Sequence, residues 1–298
     1  MLETLENHKN GHIQFPLGDL TLYVITDGAF KMDGIQPVFA PEADPNAIKT
    51  FLEDNFYPSD RIDFAGNILL VKTQTRTILL DTGSGQQLSP TAGKLLQHLA
   101  AAGISEHDIT DIVLTHAHAD HIGGLLHGDG SPAFANAAVH IAQAEYDFWM
   151  ATAPDFSKGS INETTQFGID FAQQHLNSID AARLHFFTDK DVLFDCLNVE
   201  IAAGHTPGQA IITVFSQGQE LVHMADTFQH ILLLAHPTWG SLIDTDFEMA
   251  IASRQMLGKR WAAEKRLIFG DHLPYPGLGY LKTRDTGFEW VPKAFFTV

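Results

Sequence analysis

The chain of 298 residues is 45% hydrophobic and 18% charged, enough apolar material for a sizeable core and too little charge for a disordered polymer. Eighteen Lys and Arg against 36 Asp and Glu leave a formal charge of -18, whose field repels phosphate backbones and anionic lipid surfaces, so nucleic acid and membranes are poor partners. A single cysteine rules out an internal disulfide framework and any thiolate-rich zinc or iron–sulfur site, so nitrogen and oxygen ligands must hold any metal, and 16 histidines are available to do it.

The amino terminus, MLETLENHKNGHIQF, carries acidic residues where a signal peptide needs a basic and then an apolar region, and no apolar run approaches about 18 residues. The expectation is a soluble cytoplasmic protein. No linker, proline-rich tract or charge block divides the sequence, which predicts one domain over residues 1–298. Apolar runs rich in branched residues predict buried strands over 20–25, 68–71, 77–80, 112–115, 139–142, 199–202, 210–215 and 221–224. Helical spacing of apolar residues predicts helices over 94–102 and 247–266. Between them, residues 148–175 mix Pro, Gly, Ser and Asn with Phe and Trp, an irregular insertion running before or into a helix. Strand pairs followed by helices in both halves imply two mixed sheets packed face to face and covered outside by helices.

The strongest motif follows the 112–115 strand. His116, His118, Asp120 and His121 fall within six residues, and the small Ala117, Ala119, Gly123 and Gly124 let a loop bring them together. A continued strand would send His116 and His118 to one face and His121 to the other, so a turn is required. A lone histidine is more often an ordinary core or surface residue. A cluster of this kind beside an apolar strand is better satisfied by metal coordination. The second half adds His205 in a Gly/Pro turn, Asp226 after the 221–224 strand, and His272 after an apolar triplet, each at a strand end.

His116-x-His118-x-Asp120-His121, with Asp81 in a Leu-Asp-Thr-Gly turn and His205, Asp226 and His272 following in that order, strongly resembles the metallo-β-lactamase superfamily of αββα hydrolases. The resemblance runs from about residue 20 to the end of the chain. It implies an α/β fold, a four-layer αββα sandwich of two mixed β-sheets flanked by helices, with metals at one edge of the sheets. By the same resemblance His116, His118 and His205 hold one metal, Asp120, His121 and His272 the second, and Asp226 bridges them. The tail Asp271-His272-Leu273-Pro274-Tyr275-Pro276-Gly277-Leu278-Gly279-Tyr280, followed by Gly287-Phe288-Glu289-Trp290-Val291-Pro292, is similar to the methyl parathion hydrolase subgroup, which includes lactonases. Tyr146-Asp147-Phe148-Trp149 is similar to a pocket segment there, and the resemblance also implies a homodimer.

Two divalent ions about 3.5–4 Å apart bring the pKa of a shared water toward neutrality and present it as a bridging hydroxide to a carbonyl or phosphoryl centre, so no side-chain nucleophile is needed. Zinc is the expected metal, and manganese, iron and cobalt suit the same ligands. Asp120 is either a pure ligand or also the catalytic group that orients the hydroxide or accepts its proton. Asp81 is placed to hydrogen-bond a ligating histidine or to form its turn. Phe148, Trp149, Phe228, His236 and Trp239 are candidate walls of an apolar substrate pocket.

These readings predict a binuclear hydrolase that opens lactones or cleaves small neutral esters, phosphotriesters included. No Arg/Lys cluster follows His272, which lowers a glyoxalase-type thioesterase reading, and Gln229 stands where some lactonases carry a tyrosine. The rivals are a β-lactamase or thioesterase-type hydrolase of the same superfamily, a mononuclear iron sulfur dioxygenase, and a metal-stabilised binding protein without catalysis.

Overall fold

The computed structural model describes residues 10–86, 88–159 and 165–295. Its strands form two seven-stranded sheets. The first runs β1 (His12–Leu17), β2 (Leu20–Asp33), β3 (Arg61–Lys72), β4 (Thr77–Leu80), β5 (Asp111–Val113), β6 (Ala138–Ala142) and β7 (Leu184–Phe187), antiparallel up to β4 and parallel from β4 to β7. The second contains β8 (Val192–Leu193), β9 (Leu197–Ile201), β10 (Ala210–Ser216), β11 (Gln219–His223), β12 (Ile268–Phe269), β13 (Leu278–Arg284) and β14 (Gly287–Pro292), where only β11 and β12 run parallel. The helices are α1 (Pro45–Asp54), α2 (Leu95–Ala101), α3 (Ala119–Ile122), α4 (Gln143–Trp149), α5 (Thr165–Asn177), α6 (Ile231–Ala235) and α7 (Phe247–Glu264).

Alternation along the strands explains why the sequence reads as continuous apolar runs. Leu22 and Val24 of β2, Ile78 and Leu80 of β4, and Ile212 and Val214 of β10 meet between the sheets. Tyr23 and Ile25 of β2 and Leu79 of β4 face the other way, onto Leu95 and Leu99 of α2 and Phe171 and Leu176 of α5. On the far side Ile211, Val222 and Ile268 pack against Leu232 to Leu234 of α6 and Leu257 and Trp261 of α7. Strands buried on both faces lose the polar-apolar alternation of half-exposed ones, and three stacked cores give the α, β, β, α layering.

Capping sets where the second long helix starts. Asp246 accepts a hydrogen bond from Met249 N at the head of α7, and Lys265 closes its other end in the left-handed region at φ 53°. The helix therefore ends at Glu264, slightly short of the predicted 266. In the 148–175 stretch, Phe148 and Trp149 finish α4, residues 150–159 form turns and bends, residues 160–164 lie outside the described residues, and a helix begins at Thr165.

β4 runs parallel to β5 and β11 to β12, so each pair ends at one edge of its sheet, and the residues that follow the two pairs meet at the same edge of the sandwich. Asp81, His116, Asp226 and His272 all follow these ends. The turn carrying His205 joins β9 to β10 at the same edge.

Candidate metal centre

β5 stops at Val113, two residues before its predicted end, and the chain turns so that His118 precedes a single helical turn, α3, which carries Asp120 and His121. Glycine is required just beyond. A Cβ on Gly124 would lie 2.0 Å from Thr82 O and one on Gly123 2.3 Å from Ser84 O, so the loop after α3 lies directly against the loop after Asp81.

Four histidine rings are each anchored through Nδ1. His121 Nδ1 donates to Asp81 Oδ2 at 2.9 Å, and His205 Nδ1 to Asp244 Oδ1 at 2.8 Å. His272 Nδ1 donates to the carbonyl of Ala65 at 3.0 Å. Thr115 Oγ1 gives its proton to Asp81 Oδ2 at 2.7 Å and so accepts from His116 Nδ1 at 3.0 Å. A carboxylate or carbonyl can only accept, so each Nδ1 carries a proton, and in the neutral form of the ring Nε2 presents its lone pair to the centre. Besides His121 Nδ1, the Asp81 carboxylate accepts Thr115 N at 2.7 Å.

The Nε2 atoms converge on Asp226, whose two oxygens are divided between two groups. Oδ1 lies 3.2 Å from both His121 Nε2 and His272 Nε2. Oδ2 lies 3.3 Å from His205 Nε2 and 4.0 Å from His116 Nε2, which in turn is 3.1 Å from His118 Nδ1. Asp120 Oδ2 completes the first group at 3.4 Å from His272 Nε2. His116, His118, His205 and Asp226 thus form one cluster able to hold a metal, and Asp120, His121 and His272 another.

A cation fits this arrangement. His121 Nε2, His205 Nε2 and Asp226 Oδ1 are buried atoms without a properly aligned hydrogen bond, a costly state that an ion between them would relieve. Electrostatics agree. Burial opposes charge on His205, but contacts with Asp226 and Asp244 overcome it and push the ring up to about 9. His272 likewise reaches about 9, burial being outweighed chiefly by Asp226. His116 and His118 are held well below the usual imidazole range by burial and by neighbouring histidines. The Asp226 carboxyl, although buried, is kept well below the carboxylate range by His272 and His121.

Residues 61–272 match the family model of the metallo-β-lactamase superfamily. The chain belongs to that superfamily. Among solved structures it is similar to AidC, a dizinc quorum-quenching lactonase in complex with the product N-hexanoyl-L-homoserine, at 40% identity and a TM-score of 0.91, covering 96% of this chain and 99% of that one. The hydrolase AbOPH, at 24% identity with a TM-score of 0.86 over 96% and 98% of the two chains, shares the fold. So does a probable metal-dependent hydrolase from Staphylococcus aureus, at 20% identity and 0.74 over 95% and 100%. A search of curated protein sequences returns no match. Family and neighbours make this metallo-β-lactamase superfamily member a metal-dependent hydrolase.

The candidate pocket residues separate. Trp149 is buried with its ring edge-on to His118 at 5.6 Å, and Phe148 packs on Trp149 and Phe156. Phe228 does not line the site: at 1% exposure it is wedged between Trp261 and Phe288 in the core beneath α7. His236 and Trp239 stack at 3.8 Å, and His236 lines a separate cavity of about 540 Å³ with Phe51, Tyr57 and Trp290, which none of the seven ligand-type residues touches.

Several supporting residues escape the sequence reading. Asp244, which holds His205, is itself held by Arg254, whose Nε and Nη1 also donate to the carbonyls of Thr227 and Trp239. Asn67 Nδ2 donates to the carbonyls of Gly270 and Leu273 on either side of His272. Asp271 lies with Oδ2 4.0 Å from His121 Nδ1 and Oδ1 3.2 Å from Nε2 of the buried His223. Phe30 and Phe64 turn ring edges to His272 at 5.9 and 5.4 Å, an apolar wall in front of the second cluster. Their signal was present only as aromatic residues in β2 and β3; nothing local marks them as neighbours of a residue more than 200 positions later.

Proposed function

We propose that the protein is a two-metal lactonase that opens small neutral lactones and also cleaves neutral esters, phosphotriesters among them. The observation that carries this reading is the division of Asp226, one oxygen facing each histidine group. The 40% identity to a dizinc lactonase supports it. His116, His118 and His205 would hold one ion, Asp120, His121 and His272 the other, with Asp226 between them; zinc suits these nitrogen and oxygen donors, as do manganese, iron and cobalt. Bound there, two divalent cations supply Lewis acidity that polarises the acyl oxygen and makes water acidic enough to attack near neutral pH.

The chain's own residues account for the rest. The Asp120 side chain is 24% exposed and His118 is also only partly buried, against 6% or less for His116, His121, His205, Asp226 and His272, so the mouth of the site lies on the side of Asp120 and His118. There Asp120 orients the attacking water and takes its proton. Ring opening adds the hydroxyl to the acyl carbon and breaks the ring carbon–oxygen bond. The proton held at Asp120 then passes to the leaving alkoxide, giving a hydroxy acid. Trp149, Phe30 and Phe64 form an apolar rim that keeps bulk water from the reacting centre, and the -18 field favours a neutral substrate.

Zinc-loaded protein assayed on N-acyl-homoserine lactones, aryl esters, methyl parathion and nitrocefin tests the reading. Lactone opening is expected, with weaker turnover of esters. Fully loaded protein that opens no lactone and cleaves no ester or phosphotriester contradicts it, and turnover of nitrocefin alone favours the β-lactamase. The same reading makes the chain one domain in a cytoplasmic homodimer, which light scattering and cell fractionation check. Among the described residues no helix is long and apolar enough to cross a membrane.

A further inference from the structure

Glu145 lies on α4, outside both metal clusters, with a fully buried side chain. Its Oε1 accepts Ala117 N at 2.9 Å and Trp149 Nε1 at 2.7 Å, and its Oε2 accepts Gly208 N at 2.9 Å. Ala117 stands between His116 and His118, and Gly208 three residues after His205. One carboxylate therefore ties together the two backbone segments that carry all three histidines of one cluster. It touches neither Asp120, His121 nor His272.

The local sequence is built around this contact. A Cβ on Gly208 would fall 2.3 Å from Glu145 N and 2.6 Å from Glu145 Cβ, so only glycine lets the His205 turn come this close to α4. Trp149, one helical turn after Glu145, donates its indole proton inward and lays its ring edge against His118. Ala117, Trp149 and Gly208 are N–H donors, and the Thr206 hydroxyl adds a contact that can donate as well, so the position calls for a group that accepts on both oxygens. A glutamine of the same shape offers one acceptor oxygen and one NH₂, and in either orientation the NH₂ faces a donor. Either the His205 turn or the His116–His118 loop is then released.

We infer that Glu145 is a positioning residue for the cluster His116, His118 and His205, setting the affinity of one metal position independently of the other. The inference rests on the two-metal reading above. Chelator-stripped wild type and Glu145→Gln are titrated with zinc against a chromophoric competitor, and exchange of the Ala117 and Gly208 amides is followed in the metal-free proteins. Wild type is expected to take two zinc ions per chain. Glu145→Gln should weaken one at least tenfold, leave the other within about twofold, and speed exchange of one or both amides at least tenfold, while amides of the sheets are unchanged. If both affinities stay within twofold of wild type, or both weaken equally, the positioning role is overturned. Unchanged exchange at both amides overturns it whatever the metal content. A wild type that binds fewer than two zinc ions contradicts the two-metal reading instead, and the exchange result still decides the clamp. Should Glu145→Gln not fold, Glu145→Asp keeps an acceptor-only group one methylene short; a smaller selective loss is expected, and full retention of both affinities and both protected amides overturns the role.

Discussion

Asp244 joins stability to the metal centre in a way that can be measured. Its carboxylate is 0% exposed and holds His205 Nδ1 with one oxygen and the 1% exposed Arg254 with the other. Asp244→Ala strips a buried guanidinium of its counter-charge, and breaking such a pair costs about 3–5 kcal/mol. The same change removes the acceptor that orients His205, which should weaken metal binding by about 10–100-fold. Replacing both partners, Asp244→Leu with Arg254→Met, removes the uncompensated charge. It still leaves the carbonyls of Thr227 and Trp239 without their donor, so about 1–3 kcal/mol of the loss should persist. The double variant does not return the Asp244 carboxylate to His205. Urea unfolding of the metal-free proteins, read beside zinc affinity, separates the effects: the double variant should regain part of its stability and none of its affinity. A loss below about 1 kcal/mol in Asp244→Ala, or wild-type zinc affinity in the double variant, would refute the reasoning.

Further expectations follow from the same geometry. Phe228→Ala should cost about 3–5 kcal/mol by opening a cavity under α7 while zinc content stays unchanged, which calorimetry and metal analysis check. Asp120→Asn should lower kcat by about 10²–10⁴-fold if the carboxylate moves the proton, with a smaller change in zinc content than Asp226→Asn produces. In the metal-free protein His205 and His272 rise from 6.5 to about 9, so their charged forms stabilise the fold fully below 6.5 and that contribution is lost as pH climbs through 9. His223 and His230 fall to about 4 because of burial, so the stability they lend is present above 6.5 and is lost as pH falls toward 4. The Tm of the metal-free protein should therefore peak near 6.5 and decline on both sides, and a Tm that rises steadily from 6.5 to 9 would contradict this.

The parts of the molecule legible in the sequence are those written locally. Two-faced burial makes β4, β10 and the first half of β2 into nearly unbroken apolar runs, and the metal motif is compressed between Val113 and Gly124. The hairpin β13–β14 is less visible, because it alternates Tyr, Lys, Arg, Glu and Trp and its outer strand is an edge. The residues that steady the metal ligands are invisible for a different reason. Asp244 reaches His205 across 39 positions and Ala65 reaches His272 across 207, so their roles exist only once the strand ends gather at one edge. Phe228 shows the opposite hazard. It lies two residues from Asp226, but the 3₁₀ turn at Ala225–Thr227 redirects the chain and sends its ring into the core.

The central claim is that two metal positions share Asp226 and that hydrolysis depends on both. Zinc content and lactone opening measured on one preparation of wild type and Asp226→Ala test it most directly. Two zinc ions per chain in wild type, with zinc and activity falling together in the variant, are expected. An active wild type with one ion per chain, or an Asp226→Ala protein that keeps two ions and its activity, would contradict it.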